Sequence, residues 1–342
     1  MRSKIHNQLL LLLLVATVIV FVINLSLGSV VIPFKDTLAS LFGQETSQAS
    51  TNFIVTQYRL PKAFMAVMVG AGLSAAGLLM QTLFRNPLAG PFVLGITSGA
   101  SLGVAILILG AGAIGGVLST YLTNPYSIVI ASGIGSFLVL LAVLGVTKKL
   151  KDTMAILIIG LMFGSVTGAV VSVLAYFSPA QELQQYIFWS FGSLGGTSWQ
   201  GVILVALCFF VGIVLCIRAI KPLNAMLLGD AYAQSLGLNL TKHRMAIIFA
   251  TCVLAGSITA FAGPIAFIGL AVPHVARQLF WTNNHAILLP AVLLCGAIVM
   301  LSCDIFAQLP GSEFTLPINA VTSLFGAPIV IWLLIKKGKL LF

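Results

Sequence analysis

A chain of 342 residues that is 59% hydrophobic and only 7% charged falls far below the roughly one-quarter charged share of a soluble domain, so its surface is built to face lipid. The net charge of +10 does not mark a nucleic-acid binder, because the basic residues sit in short clusters beside apolar spans rather than in one stripe. Its five cysteines, Cys208, Cys216, Cys252, Cys295 and Cys303, all fall inside apolar spans without a CxxC pair, and read as small packing residues rather than ligands or disulfides.

A membrane helix needs about 20 mostly apolar residues. Ten spans are expected, at 8–28, 61–83, 91–111, 126–147, 153–177, 200–218, 244–262, 266–280, 286–307 and 317–336. The first follows Arg2 and Lys4. It is long for a signal-peptide core and has no small-x-small cleavage site, so a retained first helix is expected. An outer loop at about 29–60 is polar, with Gln44, Glu45, Ser47, Gln48, Ser50 and Asn52. The eighth span is short and interrupted by proline. The fold class expected is therefore an all-α integral membrane protein, a single transmembrane domain over 1–342.

The charges orient it. Of 17 Lys and Arg, 14 fall on one side of this topology: Arg2, Lys4, Arg85, Lys148, Lys149, Lys151, Arg218, Lys221, Lys242, Arg244, Arg277, Lys336, Lys337 and Lys339. Only Lys35, Arg59 and Lys62 fall on the other. The positive-inside rule makes the richer face cytoplasmic, with both termini on it.

The inner connection at about 219–243 alternates apolar and polar residues, as short amphipathic helices broken at Gly229 and Gly237 would. Its charges are too sparse for a lipid-surface helix, which favours a protein partner. Span 2 leads into RNPLAGPFVLGITSGAS and span 7 into GPIAFIGLAVPHVARQ. Both are small-residue helices followed by a proline-interrupted re-entry, and they start from opposite faces. That pattern fits an inverted repeat of spans 2–5 and 7–10, a transporter plan.

Gly160, Gly164 and Gly168, followed by Ser172, lie on one face of span 5. Such a face either packs tightly against a neighbour or forms a smooth pathway wall. Gly95, Gly99 and Gly103 repeat the spacing in span 3, where packing is expected. Asp304 is the one buried-looking carboxylate, and near the outer end of span 9 it reads as an interfacial or helix-end residue. His274 follows Pro273 and is expected to bond backbone at a helix break. With no second histidine at ligand spacing, no metal site is expected. Gly229-Asp230 has no partner aspartate in a span, so an intramembrane protease is not indicated. No GxxxxGK[ST] is present, so ATP would have to be bound by another subunit. The scarcity of intramembrane carboxylates argues against an ion-coupled secondary transporter.

The ordered motifs RLPK at 59–62, QTLFRNPLAGPFVLGITSGAS at 81–101, MLLGDAYAQSLGLNL at 226–240, GPIAFIGLAVPHVAR at 263–277, CDIFA at 303–307 and LPINAVTSLFGAPIVIWLL at 316–334 resemble the FecCD family. Those proteins are permease subunits of ATP-binding-cassette importers for iron–siderophores, haem and vitamin B12. The resemblance implies ten helices per subunit in the inner (plasma) membrane, a second permease copy and an axial pathway lined by helices 5 and 10. It implies separate ATPase subunits that carry ATP and Mg, with no cofactor in this chain, and a periplasmic or lipid-anchored solute-binding protein. It implies that Leu228, Gly229, Asp230, Ala231 and Gly237 belong to the loop that couples to the ATPase. It also implies that Arg59 and Lys62 receive acidic residues of the binding protein. Lys62 stands where arginine is usual and loses the planar fork. Gln308 stands where a third basic residue is expected, and Glu313 lowers the potential nearby. Gly160, Gly164, Gly168 and Ser172 are then candidates for the pathway. The expected cargo is a ferric siderophore-type chelate, with vitamin B12 or haem as the alternative.

Reporter insertions test the orientation. Alkaline phosphatase inserted after Gln48 should be active and after Gly237 inactive, with a C-terminal fluorescent fusion bright; the reverse pattern would overturn it.

Overall fold

The computed structural model describes residues 2–44, 46, 48–114, 124–147, 153–312 and 314–336. Among these the regular structure is all helical: α1 (Arg2–Ser26), α2 (Phe34–Leu41), α3 (Ala49–Phe53), a π-helical turn (Ile54–Arg59), α4 (Leu60–Leu83), a 3₁₀ turn (Pro91–Leu94), α5 (Ile96–Ile114), α6 (Pro125–Thr147), α7 (Thr153–Phe177), α8 (Ala180–Ser190), α9 (Trp199–Leu227), α10 (Asp230–Ser235), α11 (Leu240–Ala262), α12 (Ile268–Phe280), α13 (His285–Ala307) and α14 (Ile318–Lys336). Glu45, Ser47, Lys148, Lys149, Lys151, Glu313, Lys337 and Lys339 lie outside the described residues. Each of the ten expected spans falls on a helix. Seven are long and apolar enough to cross a membrane, α5 and α14 contain shorter apolar segments, and α12 has 13 residues. The protein is a multi-pass membrane protein.

The bundle is assembled around α4. Most of its residues, from Pro61 to Leu83, are buried, and it packs on α9, α11, α12 and α13. The reason is its lack of bulk. A Cβ on Gly70 would overlap the carbonyl of Gly296 in α13, and one on Gly77 would overlap the carbonyl of Gly269 in α12. In lipid no hydrophobic force drives helices together, so close backbone approach carries the association. The small residues of α5 act likewise. Gly99 and Gly103 would each drive a Cβ into α6, at Gly135 and Ala131.

Helix neighbours repeat in pairs. α4 packs on α13 and α12, and α11 packs on α6 and α5. α5 packs on α6 and α7, and α12 packs on α13 and α14. Exchanging α4–α7 for α11–α14 maps each contact onto another, which is the inverted repeat. Both re-entries are broken before their helix. Gly95 (φ 72°) precedes α5, and Phe267 (φ 65°) precedes α12. A non-glycine in the left-handed region is strained, and Phe267 is held there by packing against Gly326.

Two expected boundaries move. The polar loop at 29–60 is largely helical, and the π-turn runs without a break into α4. Pro61 lacks the N–H that an α-helix would need, and the wider turn before it leaves room for the ring. Span 6 was expected to stop at 218, but α9 continues through the buried Pro222 to Leu227. Polar contacts hold the extension. The Asn224 amide donates to Asn284 at 3.0 Å, the His285 backbone N–H donates to Asn224 Oδ1 at 3.0 Å, and His285 Nε2 lies 2.8 Å from Thr82 Oγ1.

Gly77→Ala should cost at least about 3 kcal/mol, at the upper end of overpacking penalties, because the obstacle is backbone. Gly168→Ala, where a Cβ meets nothing, should cost almost nothing. Denaturant unfolding of the purified chain checks the contrast.

Candidate functional site

The functional features gather at the two ends of the bundle. At the end that holds Arg85, Arg244 and Arg277, α9 stops and the chain turns at Gly229 (φ 114°) into α10. The space around Gly229 and around Gly237 (φ 82°) is open, so their requirement is the left-handed backbone alone. Asp230 opens α10 between two guanidinium groups. Arg85 Nη2 lies 2.8 Å from Oδ1 and Arg244 Nη2 2.6 Å from Oδ2. Arg85 also donates to the Met226 carbonyl at 3.0 Å. One carboxylate thus ties α10 to the turn after α4 and to the start of α11. Arg244 is buried and Arg85 is not, so the Arg244 pair is the less screened of the two.

Around this short helix Leu228, Tyr232 and Leu236 are 67%, 49% and 59% exposed. Ala231 is exposed as well, while Ala233 is buried and seats the other side. The five coupling-loop residues named from the sequence are therefore brought together as an apolar projection clamped at its base. Deeper on the same end, His274 Nε2 lies 2.7 Å from the Pro87 carbonyl, the backbone contact expected of it. Arg277 donates to Gln81 Oε1 at 2.5 Å, and the Gln81 amide donates to Leu270 O at 3.0 Å.

At the other end the predicted docking cations are engaged internally. Arg59 is buried, and its guanidinium donates to the carbonyls of Leu25 (2.8 Å), Ser26 (2.9 Å) and Val30. It closes the end of α1, whose last carbonyls would otherwise lack donors. Lys62 Nζ lies 3.0 Å from Asp304 Oδ1. The other oxygen of Asp304 accepts from the Gln308 amide at 2.7 Å and the Asn24 amide at 2.9 Å. Asp304 lies in the last turn of α13, the helix-end position expected of it, but it is 2% exposed and so does not face the interface. It is the buried centre of a polar cluster that joins α1, α4 and α13. Gln308 completes that cluster in the place where a cation was expected. Lys62, Gln308 and Gly192 line a cavity of about 70 Å³ beside it.

The glycine face of α7 divides along its length. Gly160 is buried, and a Cβ there would overlap the Val93 carbonyl, so it is a packing position against the 3₁₀ turn. A Cβ on Gly164 would meet only the Ser98 hydroxyl, at 3.3 Å, and at Gly168 would meet nothing. Gly168 and Ser172 are exposed, and Ser172 Oγ donates back to the Gly168 carbonyl at 3.0 Å. α7 and α14 also present large apolar side chains outward, among them Val166, Val173, Leu324 and Trp332. The Asn224–His285–Thr82 contacts and the Asp304 cluster were not anticipated. For Asn24, Lys62, Thr82 and Asp304 the signal available was a polar residue inside an apolar span, which names a candidate but not its partner; Asn224, His285 and Gln308 fall just outside the expected spans and carried no such signal.

A model of the FecCD transport family matches residues 15–336. The vitamin B12 import system permease protein BtuC of Klebsiella pneumoniae is 35% identical over 294 residues, 86% of each chain. Its namesake from Salmonella paratyphi A is 36% identical over 292 residues, 85% of this chain and 86% of that one. Among solved structures, one described as a metal-chelate type ABC transporter in an inward-facing conformation superposes with a TM-score of 0.84 at 28% identity, covering 96% of this chain and 99% of that one. PsaBC from Streptococcus pneumoniae, at 13% identity and a TM-score of 0.52, covers 88% of this chain and 95% of that one, and shares the fold alone.

Asp304→Asn leaves the Lys62 ammonium without its carboxylate and should destabilise the chain by about 3–5 kcal/mol. Combining it with Lys62→Met should recover much of that loss. Thermal unfolding of the two variants beside the unmodified chain checks this; equal stability of the single and double variants would contradict a buried pair.

Proposed function

The chain belongs to the FecCD transport family as the permease subunit of an ATP-binding-cassette importer, and we propose that its cargo is a ferric siderophore-type chelate carried across the inner membrane. It is a transport subunit, not an enzyme. The observation that carries the mechanism is the clamped projection: exposed Leu228, Tyr232 and Leu236 on a helix whose Asp230 is held by Arg85 and Arg244. An apolar knob on a rigid base fits the cleft of a separate ATPase subunit, which binds the ATP and Mg that this chain has no motif for. Nucleotide-driven closure would push on α10. Arg85 would pass that push to α4 and Arg244 to α11, the leading helices of the two inverted halves, shifting the bundle between its two access states.

On this reading residues 1–342 form one transmembrane domain with both termini cytoplasmic. A second copy covers the outward apolar faces of α7 and α14, and the axial pathway runs between them past Gly164, Gly168 and Ser172. Uncharged small residues there would let a bulky chelate pass without trapping it, so affinity and selectivity belong to a solute-binding protein. That protein would dock on the Lys62 and Gln308 end, where Arg59 keeps the α1–α2 connection in shape. A second cargo, vitamin B12, is favoured by the names of the Klebsiella and Salmonella relatives. Competition between ferric chelates and cobalamin for the binding protein separates the two readings.

Leu236→Glu should reduce co-purification of the ATPase by about tenfold or more and abolish uptake in proteoliposomes. Asp230→Asn should leave the ATPase bound but lower uptake per ATP hydrolysed. Uptake that persists with a catalytically dead ATPase, or collapses with the proton gradient while ATP remains, would overturn the importer mechanism.

A further inference from the structure

Three of the cations at the α10 end are held internally. Arg85 and Arg244 hold Asp230, and Arg277 holds Gln81. Arg218 and Lys242 are exposed, and among the described residues neither side chain meets a carboxylate or a hydrogen-bond partner. They stand on opposite sides of a cleft of about 360 Å³ between α9 and α11, with Leu215, Pro222 and Ile247 among its walls. His243 lies on the same lip, but its ring is engaged with the Asn239 carbonyl at 2.9 Å.

Further along α11 a second open cleft of about 310 Å³ is lined by Phe249, Val253, Gly256 and Ala260, with Phe137 of α6 and Cys208 of α9. Lys242 and Ala246 of the first cleft and Phe249, Val253, Gly256 and Ala260 of the second recur at three- and four-residue steps. Both clefts therefore lie on one face of α11. Because α11 packs on both α6 and α9, that face is the floor of a groove with α6 and α9 as its walls. Exposed Leu207, Phe210, Val214 and Ile217 put α9 at the perimeter of the bundle. From Lys242 to Val253 the helix rises roughly 16 Å at 1.5 Å per residue, about half of a 30 Å hydrocarbon core.

We propose that this groove binds one anionic phospholipid, its phosphate held between Arg218 and Lys242 and one acyl chain laid along α11 toward Val253. Two unpaired cations at the head and an apolar trough one leaflet deep match that molecule at both ends. A soluble anion would leave the trough empty. An acidic surface of the ATPase would meet the end of the bundle and would not follow its lipid-facing side.

Native mass spectrometry of the full-length chain tests this, using phosphatidylglycerol and phosphatidylcholine of matched chain length as probes. One phosphatidylglycerol should be retained in preference to phosphatidylcholine. The Arg218→Gln/Lys242→Gln double variant should lower that preference about tenfold, while Arg218→Lys/Lys242→Arg, which preserves charge, should keep it. Gly133 lines the second cleft and a Cβ there meets nothing within 4 Å. Gly133→Leu should therefore fill the trough and cut retention of both lipids severalfold without disturbing the fold. Equal retention of the two lipids by the unmodified chain, an unchanged preference in the glutamine variant, or unchanged retention in Gly133→Leu would each overturn the proposal. So would loss of ATPase association in the glutamine variant with lipid preference intact, which would assign the two cations to the ATPase contact.

Discussion

Everything in this subunit is hung on a helix with almost no side-chain bulk where it touches its neighbours. α4 meets α13 at Gly70 against Gly296 and α12 at Gly77 against Gly269, backbone to backbone. In water such contacts would be supplementary to a hydrophobic core. In lipid the tails are as apolar as leucine, so dispersion between closely fitted backbones is the main attraction available. Large residues of α4, such as Met65, Leu78 and Met80, then fill the spaces beside those crossings. The geometry of the rest follows: α9, α11, α12 and α13 find their places against this one axis.

Two carboxylates serve as fasteners, Asp304 buried at one end and Asp230 partly exposed at the other. Asp304 gathers α1, α4 and α13 through Asn24, Lys62 and Gln308. Asp230 gathers α4, α10 and α11 through Arg85 and Arg244. α4 is the element common to both. A carboxylate with several donors tolerates burial where an isolated one would not. Between the two ends the bundle is held mainly by packing.

The inverted relation between α4–α7 and α11–α14 gives these fasteners their symmetry of effect. Arg85 follows the first helix of one half and Arg244 lies near the start of the first helix of the other, so one carboxylate ties α10 to both halves. α7 and α14, the last helix of each half, keep large apolar side chains turned outward.

Much of this was legible in the sequence. Ten apolar spans and the sidedness of Lys and Arg are properties of composition along the chain, because a span needs only enough apolar length and the rule for charge needs only counting. Gly229 and Gly237 were readable as turns because a left-handed backbone selects glycine locally. Partners were not readable. Asp304 is as plausible at an interface as inside, until Asn24 and Lys62 arrive from helices far apart in the chain and Gln308 closes in from the end of its own helix. Arg59 is a docking charge or a carbonyl clamp depending on where α1 ends. Gly160 and Gly168 carry the same residue on the same helix face, yet one abuts the Val93 carbonyl and the other faces open space. The sequence by itself determined the apolar spans, the uneven distribution of Lys and Arg between their connections, and the family. Tertiary structure alone decided which polar group meets which and which small residue is a contact rather than a surface, because those depend on distances between segments that local pattern does not encode.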